Sequence, residues 1–378
     1  MVDLRGTYGR FARQVLALLV LLTFVAVAGC SKEAPPEPTP TPEPQKIYWP
    51  LTGVETKTLE KRPAVAVKIE NDPLARPQTG LEDADIVWET MVEGGVTRFI
   101  SVYNSKMPEY VGPVRSLRIA DGPIVSPMKG LLVFSGSNGH RFQDVANAAG
   151  VQLISEDEGG VGFQRIGYNS PHNDFFTLSD ALKAAEKDRA TPPPAQFLYA
   201  KKDDEKPTAS EYGKTLENEF VQVMSSSYIT SWKWDAASKT FLRFQDGEPF
   251  MSAAGTQISA KNVIALEMDT SGCPEVDPSG TPEMDMHVVG KGKGYIATDG
   301  KYLPITWSKE SDTAMLKITA KVEIVQPTPS PSPNPTPNET ISTPTPTPAP
   351  EKKTIEVQLT PGNTWIMLVP NGTGEIRH

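Results

Sequence analysis

Proline sets the limits on where this chain can build a core. Six prolines alternate with acids and threonines in SKEAPPEPTPTPEPQ, residues 31–45, and ten more occupy the 24 positions from Pro327 to Pro350. Proline has no amide donor and fixes φ, so the first tract is expected to be an extended, semi-rigid spacer. The second tract is followed by IEVQLTPGNTWIMLVP, which reads as a strand, a Pro-Gly turn and a strand. Apolar strands need partners, so residues 326–350 are expected to be a disordered insertion inside a folded domain. The overall composition, 38% hydrophobic and 22% charged, allows a substantial core, and the length suggests two domains.

The first thirty residues carry Arg5, Arg10 and Arg13, then an apolar run from Val15 to Ala28 that runs into Gly29 and Cys30. A basic start, an apolar stretch and small residues at a cleavage point make residues 1–29 a secretory signal. A cysteine directly after Ala-Gly resembles a bacterial lipobox, implying cleavage before Cys30 and lipidation of its thiol. The apolar run is shorter than the roughly 20 residues of a spanning helix, which argues against an uncleaved anchor. Residues 30–46 would then tether the protein to the extracytoplasmic face of the cell membrane through its acyl chains. Removing residues 1–29 takes away three arginines and one aspartate, leaving 34 basic against 45 acidic residues and a balance of −11. Such a protein is not drawn to nucleic acid or to anionic headgroups. With Cys30 lipidated, Cys273 is left alone and no intrachain disulfide is expected.

The stretch Gly80–Asp121 has the composition of a site. Two β-forming runs, IVWETMV and TRFISVY, flank Glu93-Gly94-Gly95 and read as a hairpin. Alternation places Val87, Glu89, Met91 and Glu93 on one side, and Arg98 on a side that depends on register. After Gly112-Pro113 a short helix through Ala120 is expected, with Arg115 and Arg118 three apart on one face. Guanidiniums so placed suit phosphate or carboxylate, either as a ligand or as Glu89, Glu93 and Asp85 in structural ion pairs. Glu89 and Glu93 are also candidate acid or base groups. Four residues apart on a strand they are roughly 13 Å from each other, so a two-carboxylate mechanism needs an acid from another segment.

Around this stretch, Asn71 and Arg76 follow a strand ending at Glu70, and loops at strand ends commonly carry function. Leu131–Ser135 reads as a strand and Arg141–Ala149 as a helix ended by Gly150, with a Gly/Ser loop between them. In FQRIGYNSPHN, His172 and Asn173 lie near Arg165 in a turn-rich segment before a helix expected at Leu178–Asp188. Met284, Met286, His287 and Cys273 are too sparse for a copper site, so neither metal nor cofactor is expected.

Thr191-Pro192-Pro193-Pro194 marks a change of pattern, and beyond it strands and tight turns recur, as in YITSWKWDAASKTFLRFQDGEPF. The expected fold is mixed α+β: an N-terminal α/β domain over residues 47–194, then a mostly antiparallel β domain over 195–378.

The series ARPQTGLEDADIVWE, EGGVTRFISVY, VGPVRSLR and SPHNDFF, continued by KNVIALEMD, VGKGKGYIATDGKYLPITWSK and PGNTWIMLVP, resembles the YerB-like bacterial lipoproteins, a family with a two-part domain of unknown function. The resemblance implies an extracytoplasmic envelope lipoprotein and supplies no reaction. Three functions stay open: binding a cell-wall component or a membrane-bound envelope protein, a hydrolase or transferase acting on a wall glycan, and solute binding. The first ranks ahead because no catalytic motif is present. The lipobox makes a direct prediction: Cys30→Ala should release the protein from membranes or leave it unprocessed. Membrane fractionation with mobility of the processed form checks it, and unchanged retention and processing would remove the anchor.

Overall fold

The longest fully buried strand of the main sheet comes from the far end of the chain. The computed structural model describes residues 46–201, 205–225, 228–277, 279–324 and 351–378; the expected signal 1–29, Cys30, the tether to residue 45 and the insertion 326–350 lie outside them. The first segment supplies β1 (Val65–Glu70), β2 (Ile86–Met91), β3 (Thr97–Tyr103), α1 (Asp121–Val125), β4 (Leu131–Phe134), α2 (Arg141–Ala148), β5 (Gln152–Ser155), β6 (Phe163–Arg165), β7 (Asp174–Thr177) and α3 (Leu178–Ala184). The second supplies β8 (Glu219–Ser225), β9 (Tyr228–Asp235), β10 (Thr240–Gln245), β11 (Asn262–Met268), β12 (Gly290–Thr298), β13 (Lys301–Lys309), β14 (Lys317–Ile324), β15 (Glu351–Glu356) and β16 (Thr364–Pro370).

Among the described residues twelve strands make one sheet, whose main path runs β15-β14-β13-β12-β11-β16-β2-β3-β1-β4-β5. β16 lies parallel between β11 and β2, with Ile366 opposite Ile264 on one side and Trp88 on the other. All of TWIMLVP is buried, the continuous apolar pattern of a strand covered on both faces. The strands of both segments therefore hydrogen-bond into one sheet, and residues 46–378 form one compact unit. The change of pattern at Pro192–Pro194 divides the sequence without dividing this sheet, because β16 returns to pair with β2.

Strands dominate both segments. The α-helices of residues 47–194 have five, eight and seven residues, and α2 crosses over between the parallel strands β4 and β5, while β1, β2 and β3 pair antiparallel around β3, so the segment contributes to a mixed sheet with short helices. Gly122 lets α1 and α2 touch, since a Cβ there would lie 2.5 Å from Ala146 Cα. The expected helix over Val114–Ala120 is absent: Arg115 N donates to Lys68 O at 2.8 Å and Leu117 N to Gly136 O at 3.0 Å, so tertiary partners take the donors a helix would use. Helix formation starts only at Asp121.

A second sheet built on β8, β9 and β10 packs against one face of the first. Trp232 and Phe99 meet Trp365 edge-on, at 5.3 and 5.2 Å between ring centroids. Within this contact Arg243 Nη2 donates to both oxygens of Glu89, at 3.0 and 3.2 Å, with neither side chain exposed. Thr97 Oγ1 and Trp365 Nε1 each donate to Glu89 at 2.8 Å, and the guanidinium carbon of Arg243 lies 4.0 Å from the Phe250 ring centroid. Arg243→Met should therefore cost about 3–5 kcal/mol by leaving a carboxylate unpaired in the core, and adding Glu89→Leu should recover much of that loss. Urea unfolding of the single and double variants checks this; a single variant with the wild-type midpoint would show that the pair adds nothing.

Candidate functional site

Register decides which charges meet. In the hairpin Arg98 stands opposite Thr90, and on its other side opposite Glu70 of β1, while Glu89 stands opposite Phe99. Residues directly opposite share a face, so Arg98 lies on the face of Lys68 and Glu70, and Glu89 lies on the face covered by the second sheet. Glu93 does not stay with Glu89. Strand geometry ends at Met91, and Glu93 sits in a tight turn with Gly94 at φ 74°, which lets its carboxylate reach Arg118.

The segment after Gly112 carries the other two arginines to this face. Glu70 N donates to Pro113 O at 2.9 Å and Ser135 N to Arg115 O at 3.0 Å, so the segment threads between the ends of β1 and β4. Gly112 is required where it passes β7, because a Cβ would lie 2.8 Å from the Phe175 ring and 2.9 Å from Asp174 O.

Most of the charges on this face are paired. Lys68 Nζ donates to Asp121 Oδ1 at 2.6 Å, with neither group exposed. Arg118 donates to Glu93 through Nε at 3.1 and 3.2 Å and through Nη2 at 2.6 Å, and its Nε lies 3.4 Å from Glu283. Arg115 Nε lies 2.8 Å from Glu70 Oε1, at an angle that makes it an ion pair without a well-formed hydrogen bond. His172 Nδ1 lies 3.0 Å from Glu70 Oε2 and 3.5 Å from Arg115 Nη2. Arg98 differs: its guanidinium donates to Ser116 O at 3.3 Å, and among the described residues no carboxylate is within ion-pairing distance of it.

The electrostatics follow from this crowding. Burial, then the Arg118 charge, lowers Arg98 to about 10. Burial also lowers Lys68 to about 8 despite Asp121. Burial pushes Glu93 up, but the Arg118 hydrogen bonds and charge outweigh it and leave the carboxyl below its usual range. Glu283, within the same group, is raised by burial.

The remaining expected residues sit elsewhere. Glu89 is sealed by Arg243, Thr97 and Trp365, so it has no access to a substrate and is removed as an acid or base. Asn71 and Arg76 belong to the opposite face: Asn71 Nδ2 donates to Thr97 Oγ1 at 2.9 Å, Arg76 Nε to Asn71 Oδ1 at 3.1 Å and Arg76 Nη2 to Tyr228 OH at 3.2 Å. Asn173 lies at the edge, its Oδ1 3.5 Å from Arg165 Nη1.

Sequence reasoning did not single out a carboxyl pair beside the arginines. Asp174 is 1% exposed, and among the described residues neither of its carboxyl oxygens has a well-formed hydrogen bond. Arg165 Nε approaches it to 3.9 Å, while Glu156 accepts from Ser135 Oγ and Arg165 Nη2. Burial and the Glu156 charge raise Asp174 to about 6. Lys68, a charge inside the apolar run VAVKIE, was the one visible signal; Asp121, Glu283, Glu156 and Asp174 are joined only by folding.

Comparison with known proteins agrees across the chain. Residues 51–191 match the family model described as "Protein of unknown function (DUF3048) N-terminal domain", and residues 220–328 match the corresponding C-terminal domain. The chain is 28% identical over 301 residues to "Putative lipoprotein YerB" of Bacillus subtilis (strain 168), covering 77% of this chain and 85% of that protein. The crystal structure of the YerB protein from Bacillus subtilis is similar with a TM-score of 0.64 at 25% identity, over 88% of this chain and 100% of that one. Among the described residues no helix is long and apolar enough to cross a membrane.

Asp174 gives a signed pH dependence. Its folded-state pKa is raised, so the folded form holds the proton more tightly and loses stability as pH rises from about 4 through about 6. Glu156 shifts the opposite way. The stability difference between Asp174→Asn and wild type should therefore grow in favour of the variant between pH 4 and pH 8, by on the order of 2 kcal/mol. Thermal melts across that range check it; a difference independent of pH would contradict the pairing.

Proposed function

We propose that this chain, which belongs to the DUF3048 family and carries both its N-terminal and its C-terminal domain, is an extracytoplasmic lipoprotein. On this reading it is anchored through Cys30 and binds an anionic group of a cell-envelope component at Arg98, Arg115, Arg118 and His172. Similarity to a protein named as a lipoprotein supports the anchor. The observation that carries the binding reading is Arg98. Two neighbouring guanidiniums have carboxylate partners, whereas Arg98 has a single backbone carbonyl although burial and like charge both act against its cation. An uncompensated, partly desolvated cation costs stability unless an anion meets it. Arg115 and His172, with side chains 20% and 15% exposed, reach solvent and can turn donors toward a phosphate or carboxylate.

A hydrolytic reading is favoured by the Asp174–Glu156 pair, which replaces Glu89 as the source of a proton donor. A carboxyl whose pKa is raised toward neutrality, beside one that is ionised, is the arrangement general acid catalysis uses. Binding ranks first because Asp174 is buried, and Arg165 occupies the approach to the part-exposed Glu156.

The test is titration of the full-length protein in detergent micelles with a short glycerol phosphate oligomer. Arg98→Met should weaken binding by about tenfold or more, a loss of one charge-assisted contact, while thermal stability is unchanged or higher. Binding should weaken as salt rises. Wild-type protein with no affinity for the oligomer, or Arg98→Met that binds as wild type, would leave these arginines with structural roles only.

A further inference from the structure

A second site lies where the folded unit begins. The turn Trp49–Val54, closed by Trp49 N to Val54 O at 2.9 Å and Gly53 N to Trp49 O at 2.8 Å, and the segment Glu82–Asp85 face Ser259 and Asn363 across an open cleft of about 460 Å³. That volume is within the range of small-molecule sites. None of Arg98, Arg115, Arg118 and His172 lines it, so this inference goes beyond the arginine cluster and does not rest on it.

The chemistry facing the cleft is distinctive. Its floor is fixed: Asp85, 2% exposed, accepts from Asn104 N at 2.8 Å, Ser105 N at 2.7 Å and Ser105 Oγ. Asn363 is held by Ser259 O at 2.7 Å and Lys261 N at 3.1 Å. Lys261 Nζ turns away, donating to the carbonyls of Lys239 at 2.6 Å and Ser238 at 3.2 Å, and Lys106 is occupied by Asp83 at 2.9 Å. The groups left are the half-buried indole of Trp49, backed on one face by Arg62 at 5.6 Å, and the Val54 side chain, 41% exposed. With them are the carboxylates of Asp83, whose Oδ1 accepts from Lys106, and Glu82; Glu82 Oε2 is enclosed and, among the described residues, has no hydrogen-bond partner.

An apolar plate beside carboxylate acceptors, with both nearby lysines engaged, disfavours an anion. It suits a ligand with one apolar face and several hydroxyl donors. A pyranose ring has that form: its C–H face lies on an indole while its hydroxyls reach carboxylate oxygens. We propose that this cleft binds a neutral saccharide unit, with Trp49 as the stacking plate and Asp83 and Glu82 as hydroxyl acceptors.

The experiment is isothermal titration of the full-length protein in detergent micelles with the β-1,4-linked N-acetylglucosamine tetramer and, separately, cellotetraose. Saturable binding of at least one oligosaccharide is expected. Trp49→Ala should weaken it by about tenfold, as loss of an aromatic anchor does, and Val54→Arg should block it from the rim without altering the turn. Should Trp49→Ala melt early, Val54→Arg decides. Arg98→Met should leave saccharide binding unchanged, so failure here is distinguishable from failure of the arginine reading. No binding of either oligosaccharide at millimolar concentration, or binding that Val54→Arg leaves intact, would overturn the proposal.

Discussion

The buried pair of Glu89 and Arg243 is the contact on which the two halves of this protein depend. Glu89 comes from the hairpin of the first segment and Arg243 from the second sheet, and each has no exposed side-chain surface. Trp365, from the strand after the second proline tract, donates to the same carboxylate. Three distant pieces of sequence thus converge on one charge. Ion pairs in such settings are costly to break and often no better than apolar packing when replaced whole, so their effect here is to fix register. A slip of β2 by one residue would turn Glu89 to the other face and leave Arg243 with aromatic rings and the neutral acceptors Thr230 and Gln245 only.

That register also separates two polar clusters. On the covered face, Glu89, Thr97, Asn71 and Tyr228 are linked by hydrogen bonds in the interior. On the other face, Lys68, Glu70, Arg98, Arg115 and Arg118 are held by strand ends and irregular segments, which leaves part of the group open to solvent. Residues next to each other in sequence fall into different clusters for this reason. Arg98 neighbours Thr97 along the chain and is separated from it by the thickness of the sheet.

Much of the fold was legible along the chain. Alternation of apolar residues located the hairpin of β2 and β3, and Gly150 marked the end of α2, where its φ is 75°. The uninterrupted apolar run in β16 required partners on both faces, whatever preceded it. The candidate site was legible in part. Arg98, Arg115, Arg118 and His172 were picked out by residue type and turn chemistry, and Gly112-Pro113 marked the break that turns the chain toward them. The helix expected after Pro113 failed because local propensity competed with sheet-edge donors and acceptors that lie outside any local window. Asn71 and Arg76 were placed with the arginines because they follow the strand end at Glu70; the turn beyond Glu70 takes them to the other side.

By itself the sequence determined where most strands and turns occur, that the chain is acidic and that an apolar run ending in Ala28-Gly29-Cys30 precedes a proline-rich tract, since these depend on neighbouring residues alone. Only the tertiary structure decided that one sheet runs through both segments, that Glu89 is sealed while Glu93 reaches Arg118, and that Asp174 meets Glu156. Each of these depends on strand register and on contacts across long separations. Pairing energy is shared among many residues, so no single residue type announces its partner.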